Sequence, residues 1–134
     1  MLLQSLAGLP TFLAYFAVAV ALLTLFGMAY IFITPYREIQ LIRQGNVAAA
    51  LGLGGALLGF VLPLASAIAH SVSLLDMAVW GLIALLVQLL VYRVACGLAP
   101  ELVQDIPAGK VAAGTFVATL SVVTGILNAA CMTY

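Results

Sequence analysis

The chain has 134 residues, of which 66% are hydrophobic and 6% are charged, and its formal net charge is zero. A soluble domain has about 25% charged residues, because it must cover its core with a hydrated surface. Four Lys or Arg and four Asp or Glu cannot provide such a surface. The composition therefore excludes an ordinary soluble fold, and it gives no basic field for nucleic acid. We predict a membrane protein whose main partner is the lipid bilayer.

Four apolar segments follow one another along the chain. They cover residues 11–33, 47–69, 77–98 and 111–133. Each is long enough to cross about 30 Å of hydrocarbon, which requires about 20 helical residues. In lipid the backbone polar groups must bond within the segment, so each segment is expected to be a helix. The predicted fold class is an all-α integral membrane protein with four transmembrane helices.

The basic residues predict how the spans are oriented. Arg37 and Arg43 lie between the first two spans, and Arg93 and Lys110 flank the connection between the last two. The connection from 70 to 76 and both termini have no Lys or Arg. The positive-inside rule therefore predicts that both basic connections are cytoplasmic and that both termini lie outside.

An internal repeat relates the two halves of the chain. Residues 39–49 align with residues 103–113 in the shared pattern [IV]-Q-x-I-x-x-G-x-V-A-A. Because each half holds two spans, both halves have the same orientation. We predict two tandem parallel helix-hairpin repeats, residues 1–70 and 71–134. After Pro35 and after Pro100, a short interfacial helix and a plain solvated turn are both compatible with the sequence.

Small residues recur every three or four positions along the second span. They are Ala48, Gly52, Gly55, Gly59, Pro63 and Ser66. Small side chains on one face let two helix backbones approach closely, which favours helix association in lipid. We interpret this set as a helix-packing face. It belongs either to the interior of the bundle, or to an oligomer contact or a path.

Polar residues within the spans form a second candidate set. Thr24 and Gln88 lie 64 residues apart, near the middle of the first and third spans, and Asn128 lies in the fourth. An unpaired amide in hydrocarbon is costly, so Gln88 is expected to face inward or a neighbouring subunit. These residues either form hydrogen bonds between helices or contact a substrate or ion at the midplane.

A third candidate set lies at the outer ends of the spans and comprises His70, Asp76 and Cys131. A histidine beside a carboxylate can form a pH-sensitive or ligand-binding patch. The alternative is helix capping, because a carboxylate near a helix N-terminus is favoured by the helix dipole. Cys131 is either a reactive thiol or an inert cysteine.

The sequence has no arrangement typical of a catalytic or metal site. No His, Cys, Asp or Glu residues occur at metal-ligand spacing, and phosphate-loop and dinucleotide fingerprints are missing. One histidine without a carboxylate inside the spans does not provide a hydrolytic triad. We therefore predict no enzymatic activity, no metal and no cofactor.

Three strings carry a family resemblance. They are GALLGFVLPLAS at 55–66, Trp80-Gly81 followed by Gln88-Leu89-Leu90, and NAACMT at 128–133. From about Phe12 to the C-terminus the chain resembles the YjfL-like bacterial inner-membrane proteins, which are defined by domain of unknown function 350. The resemblance implies a bacterial inner membrane, four spans and two copies of a two-helix domain. It implies no activity, ligand or catalytic residue.

Three hypotheses about function follow. The first is a non-enzymatic membrane module that acts through helix–helix association, in a homo-oligomer or with another membrane protein. The second is an oligomeric transporter or channel for a small solute or ion. A minor third hypothesis is an envelope-stress or redox sensor that uses His70 or Cys131.

Overall fold

The computed structural model describes residues 1–132, and over that range the chain is helical with short connections. Four of the helices over that range are long and three are short. The helices are α1 (Leu2–Leu6), α2 (Leu9–Ile33), α3 (Glu38–Arg43), α4 (Val47–His70), α5 (Leu74–Leu98), α6 (Leu102–Asp105) and α7 (Val111–Cys131). Four helical stretches are long and apolar enough to cross a membrane, with α1 and α2 forming one stretch. The prediction of four apolar spans is confirmed.

The helix boundaries differ from the predicted ones by a few residues. α2 begins at Leu9 instead of residue 11, and α4 continues to His70. α5 begins at Leu74 instead of residue 77, because the Ser73 hydroxyl caps it by accepting a hydrogen bond from the backbone N–H of Asp76 at 3.1 Å. α7 ends at Cys131, and the predicted end at residue 133 lies outside the described residues.

The connections after α2 and α5 each contain a short helix. α2 stops because Thr34 precedes Pro35 and has extended backbone angles, φ −77° and ψ 138°. α3 follows that turn, and α6 occupies the corresponding place after α5. Of the two alternatives that the sequence left open, the short helix is the one observed in both connections.

The two connections also end in the same way. Gly45 and Gly109 have φ values of 87° and 84°, a left-handed conformation that glycine adopts without strain. The Asn46 side-chain amide then donates to the Ile106 carbonyl oxygen at 2.9 Å, which joins the two connections. All Lys and Arg residues therefore lie at one end of the bundle, here called the basic end. The opposite end, where α4 meets α5, is called the His70 end.

Helices α4 and α7 form the centre of the bundle. α5 packs against both of them, and α2 packs chiefly against α4 and α5. Four glycines bring the two backbones together, because a Cβ at each would overlap an atom of the facing helix. These overlaps are Gly55 with Ala118, Gly59 with the Ser121 backbone, Gly114 with the Ala48 backbone and Gly125 with the Gly59 backbone. Contact between backbones is the packing mode available to small residues in lipid.

The N-terminal part of the first apolar stretch takes little part in this bundle. None of residues 1–20 is buried, and Leu22 is the first that is. Leu22 packs on Gly81 of the parallel helix α5. Seven residues before Leu22 is Tyr15, and seven residues before Gly81 is Leu74, the first residue of α5. Because the two helices are parallel, Leu74 and Tyr15 lie at roughly the same level. Residues 2–14 therefore extend beyond the start of α5.

Candidate functional site

A buried polar pair lies at the basic end, where α2 ends and α3 begins. Thr34 is 7% exposed and Glu38 is 1% exposed. The turn at Pro35 brings the Thr34 Oγ1 to 2.6 Å from the Glu38 Oε1. The same Oγ1 lies 3.0 Å from the Ile31 carbonyl oxygen. Thus a carboxyl group that normally faces water is enclosed at the end of a membrane span.

This geometry favours the protonated form of Glu38. The Thr34 hydroxyl has one proton, and its two nearest acceptors are the Ile31 carbonyl oxygen and the Glu38 carboxyl oxygen, with the Tyr36 carbonyl oxygen farther away at 3.5 Å. A protonated Glu38 donates to Thr34 and leaves the threonine proton for Ile31, so both bonds form. Burial acts in the same direction and raises the pKa of Glu38 to about 7, against the lowering effect of the Thr34 hydrogen bond.

A groove of about 450 Å³ opens beside this pair. Ile31, Arg37, Gln40 and Arg43 are among the residues that line it. Both arginines are exposed, and within residues 1–132 neither forms an ion pair; the ion pair in that range joins Lys110 to Asp105 at 3.3 Å. With Glu38 protonated, the groove has two positive charges and no negative one.

Tyrosines continue the buried polar region towards α5. The Tyr36 and Tyr92 hydroxyl oxygens are 3.4 Å apart, and the Tyr92 ring meets Tyr30 edge to face with centroids 5.5 Å apart. Burial raises the pKa of Tyr36 above its usual range, which keeps that side chain neutral. The buried Tyr30 hydroxyl has no hydrogen-bond partner among residues 1–132.

Gln88 lies inside the bundle between α4 and α7, as expected for an amide within a span. It is 1% exposed, and its Nε2 donates to the Gly59 carbonyl oxygen at 3.1 Å and to the Ser121 carbonyl oxygen at 3.2 Å. Its Oε1 has no partner among residues 1–132. The side chain thus connects three helices by hydrogen bonds at the point where α4 and α7 are in closest contact.

Thr24 does not share this environment, although its sequence position matches that of Gln88. Thr24 is exposed on α2, whereas Gln88 is enclosed by α4 and α7. The buried residues of α2 are Leu22, Phe26 and Tyr30, so Thr24 lies on the opposite, outward side of that helix. Asn128 is half-buried on α7, and its Nδ2 has no partner among residues 1–132.

The small-residue face of α4 is occupied within the chain itself. Gly55 and Gly59 face α7, and Gly52 lies against the Tyr30 side chain. At the His70 end, the Ser66 hydroxyl donates to the Ala129 carbonyl oxygen of α7 at 3.1 Å. Ala48 and Pro63 of the same set are also buried. Within this chain, the residues of this face therefore contact α7 and α2.

The predicted outer set separates into independent roles. The Asp76 Oδ2 accepts from the Val72 backbone N–H at 3.1 Å, which is a capping contact at the start of α5. The His70 Nδ1 lies 2.9 Å from the Ser66 carbonyl oxygen of its own helix. Cys131 is a free, exposed cysteine at the end of α7. No hydrogen bond within residues 1–132 joins His70 to Asp76. The observed contact of Asp76 is the one at the start of α5.

Similarity to known proteins is found along almost the whole chain. The family model described as Domain of Unknown Function (DUF350) matches residues 4–132. The chain belongs to the DUF350 family. It is 45% identical over 129 residues to the UPF0719 inner membrane protein YjfL of Escherichia coli (strain K12), covering 96% of this chain and 98% of that protein. It is 34% identical over 88 residues to the UPF0719 transmembrane protein YshE of Bacillus subtilis (strain 168), covering 66% of each.

Membership in the DUF350 family agrees with the resemblance noted in the sequence and with the four apolar helices. The names of these relatives place them in a membrane and describe no reaction. No solved structure matches the chain. The family relationship therefore supports a bacterial inner-membrane protein and leaves the activity to be proposed from the geometry.

Sequence reasoning missed the Thr34–Glu38 pair and the groove beside it. An acidic residue just after a span is normally solvated, so Glu38 gave no signal when considered alone. The available signal was the spacing of Thr34 and Glu38 around Pro35, since a turn there returns the chain onto the end of its own helix. Arg37 and Arg43 were used for orientation and not considered as parts of a site.

Proposed function

We propose that the chain is a non-enzymatic inner-membrane module that acts by packing its N-terminal helix against the same helix of a second copy. One observation carries the proposal: residues 1–13 are all exposed, although they begin the longest apolar stretch of the chain, and before residue 21 only Tyr15, Val18 and Ala19 pack, partly buried, against the core. Phe12 and Phe16 are each 58% exposed on this segment. Their rings stack with centroids 5.8 Å apart and form an exposed aromatic ridge.

The length of the stretch supports a protein partner over lipid alone. Leu2–Ile33 has 32 residues, which is about 48 Å of helix against about 30 Å of hydrocarbon. A helix that exceeds the bilayer must tilt, bend, thicken the bilayer or associate. Residues 2–14 also lack support from α5, which begins near the level of Tyr15. A second copy offers the same overhang and the same aromatic ridge.

Cysteine cross-linking in native membranes tests this proposal. Cys96→Ala and Cys131→Ser provide a cysteine-free background, to which Leu13→Cys is added on the exposed part of α2. Leu90→Cys is the matched control, because Leu90 is an exposed leucine of α5 with 62% exposure. We expect a disulfide-linked dimer for Leu13→Cys under mild oxidant and little for Leu90→Cys. Equal cross-linking of both variants, or no cross-linking, would contradict the proposal. A cross-link to a different protein would show that the partner of α2 is another membrane protein and not a second copy.

We further infer that the chain is a tandem repeat with a parallel arrangement of its halves. Three pairs of features 64 residues apart support this: the glycine turns at 45 and 109, the helix starts at 47 and 111, and the short helices that begin at 38 and 102. The positive-inside rule supports a cytoplasmic basic end and external termini. With the C-terminus outside, a C-terminal alkaline phosphatase fusion is expected to be active. An inactive fusion would indicate the opposite orientation.

Transport remains the second candidate, in an oligomeric form. At the level of Gln88, helices α4 and α7 leave no space for even a Cβ at Gly59 or Gly125. A path would therefore have to run between copies and not between these two helices. Flux through liposomes that disappears when the α2 contact is disrupted would support this candidate over a purely associative module. The sensor hypothesis requires that oxidation of Cys131 or protonation of His70 changes the assembly.

A further inference from the structure

The groove at the basic end has the features of an anion site at a membrane surface. Its walls change from apolar to charged over a short distance: Ile31 lies in the last turn of α2, Arg37 directly precedes α3, and Arg43 is the last residue of α3. Lipid phosphates lie at this boundary, where the hydrocarbon ends. The groove volume of about 450 Å³ is large enough for a headgroup and the glycerol beneath it.

We propose that this groove binds the phosphate of an anionic phospholipid headgroup, held by Arg37 and Arg43. The guanidinium group presents several N–H donors in a planar fork that matches a phosphate. Both side chains are exposed and form no ion pair within residues 1–132, so they reach a ligand without breaking an internal contact. Gln40, which is also exposed on α3, adds an amide donor to the same wall.

The remaining acid of the groove does not oppose this assignment. Glu38 also lines the groove, but it is 1% exposed and its carboxyl group contacts Thr34, so little of it is accessible to a ligand. The other wall residues are Thr34, Pro35, Tyr36 and Ile39, of which Pro35 and Ile39 are apolar and Ile39 is 49% exposed. Apolar walls next to a pair of arginines suit a lipid, which has acyl chains beside its phosphate, better than a freely soluble anion.

Native mass spectrometry of the purified full chain in detergent tests the site. The probes are phosphatidylglycerol, phosphatidylcholine and inorganic phosphate, each titrated separately. We expect phosphatidylglycerol to be retained in preference to phosphatidylcholine. Arg37→Gln and Arg43→Gln should each weaken its binding about fivefold, the effect expected for one basic side chain near a membrane surface. Arg43→Lys keeps the charge and should retain most of the binding.

Arg93→Gln is the matched control. Arg93 is an exposed arginine at the same end, but it lies in a separate groove with Ile33 and Leu89. The variant removes the same charge and should bind phosphatidylglycerol like the unmodified protein. An equal loss of phosphatidylglycerol binding in all three glutamine variants would show that net charge alone causes the effect, and it would overturn the proposal. So would equal retention of both lipids, or competition by millimolar inorganic phosphate, which would assign the site to a soluble phosphate. Unchanged helix content by circular dichroism shows that each variant is folded.

Discussion

The Gln88 side-chain amide donates to the Gly59 carbonyl oxygen at 3.1 Å, and that oxygen is the acceptor that Pro63 leaves without a backbone donor. In an α-helix the carbonyl of residue 59 accepts from the N–H of residue 63, and proline has none. A residue of α5 therefore completes the hydrogen bonding of α4. The proline inside α4 and the intramembrane amide of α5, which are 25 residues apart in the sequence, form one structural unit.

A double-mutant cycle tests this coupling. Gln88→Leu should destabilise the protein by about 1–3 kcal/mol, because it leaves a buried carbonyl without a donor. In a Pro63→Ala background the alanine N–H supplies the missing donor, so the same change should cost clearly less. Thermal unfolding of the four proteins in one detergent measures the difference. Strict additivity of the two substitutions would disprove the compensation.

The contact between α4 and α7 predicts opposite effects of Gly→Ala changes at different positions. Gly125→Ala should destabilise by about 1–3 kcal/mol, because the added Cβ overlaps the Gly59 backbone, which cannot yield as a side chain can. Gly54→Ala is the control on α4, since nothing lies within 4 Å of its Cβ position. It should be neutral or stabilise by up to about 1 kcal/mol through helix propensity. Similar unfolding temperatures for the two variants would show that the close approach is not required.

Glu38 predicts a pH dependence of stability. Its pKa in the folded protein is raised from 4.5 to about 7, so the folded state binds the proton more tightly than the unfolded state. Stability is then highest at low pH and falls as the pH rises through this window, by at most about 1.4 kcal/mol per pH unit. Above about pH 7 this contribution is lost. The nearby Tyr36 hydroxyl stays neutral in this window, because burial raises its pKa above its usual range.

Glu38→Gln should remove this pH dependence, because the amide can donate to Thr34 at every pH. Unfolding temperatures measured at pH 5 and pH 7.5 give the slope. Glu101→Gln is the control, since Glu101 is an exposed acid at the same end of the bundle. A slope that survives Glu38→Gln, or disappears with Glu101→Gln, would assign the effect to another group.

Two nearby serines at the His70 end predict different outcomes. Ser73→Ala removes the cap of α5 and should cost about 1 kcal/mol, with faster hydrogen exchange at residues 74–77. Ser71→Ala should be neutral or slightly stabilising, because the buried Ser71 hydroxyl has no partner among residues 1–132. If exchange at the start of α5 is equal in both variants, the Ser73 cap does not stabilise the helix.

The spans could be predicted because hydropathy and length alone decide them, and the inward position of Gln88 followed from the cost of an unpaired amide in lipid. The identity of its acceptor could not be predicted. That requires knowing that Gly59 lies level with Gln88 and that Pro63 has freed its carbonyl. Thr24 was grouped with Gln88 because the repeat matches their positions, but α2 lies at the side of the bundle and turns Thr24 outward. Glu38 was missed because its burial depends on the turn at Pro35.

The order in which the helices are synthesised gives the α4–α7 contact a further meaning. α4 leaves the ribosome before α5 and α7, so its glycine-lined side has no permanent neighbour until the last span is inserted. During that interval it is a vacant surface that an insertion factor or another nascent helix can occupy. The final helix then closes the bundle on this side of α4, so completion of the fold is a late event in biogenesis.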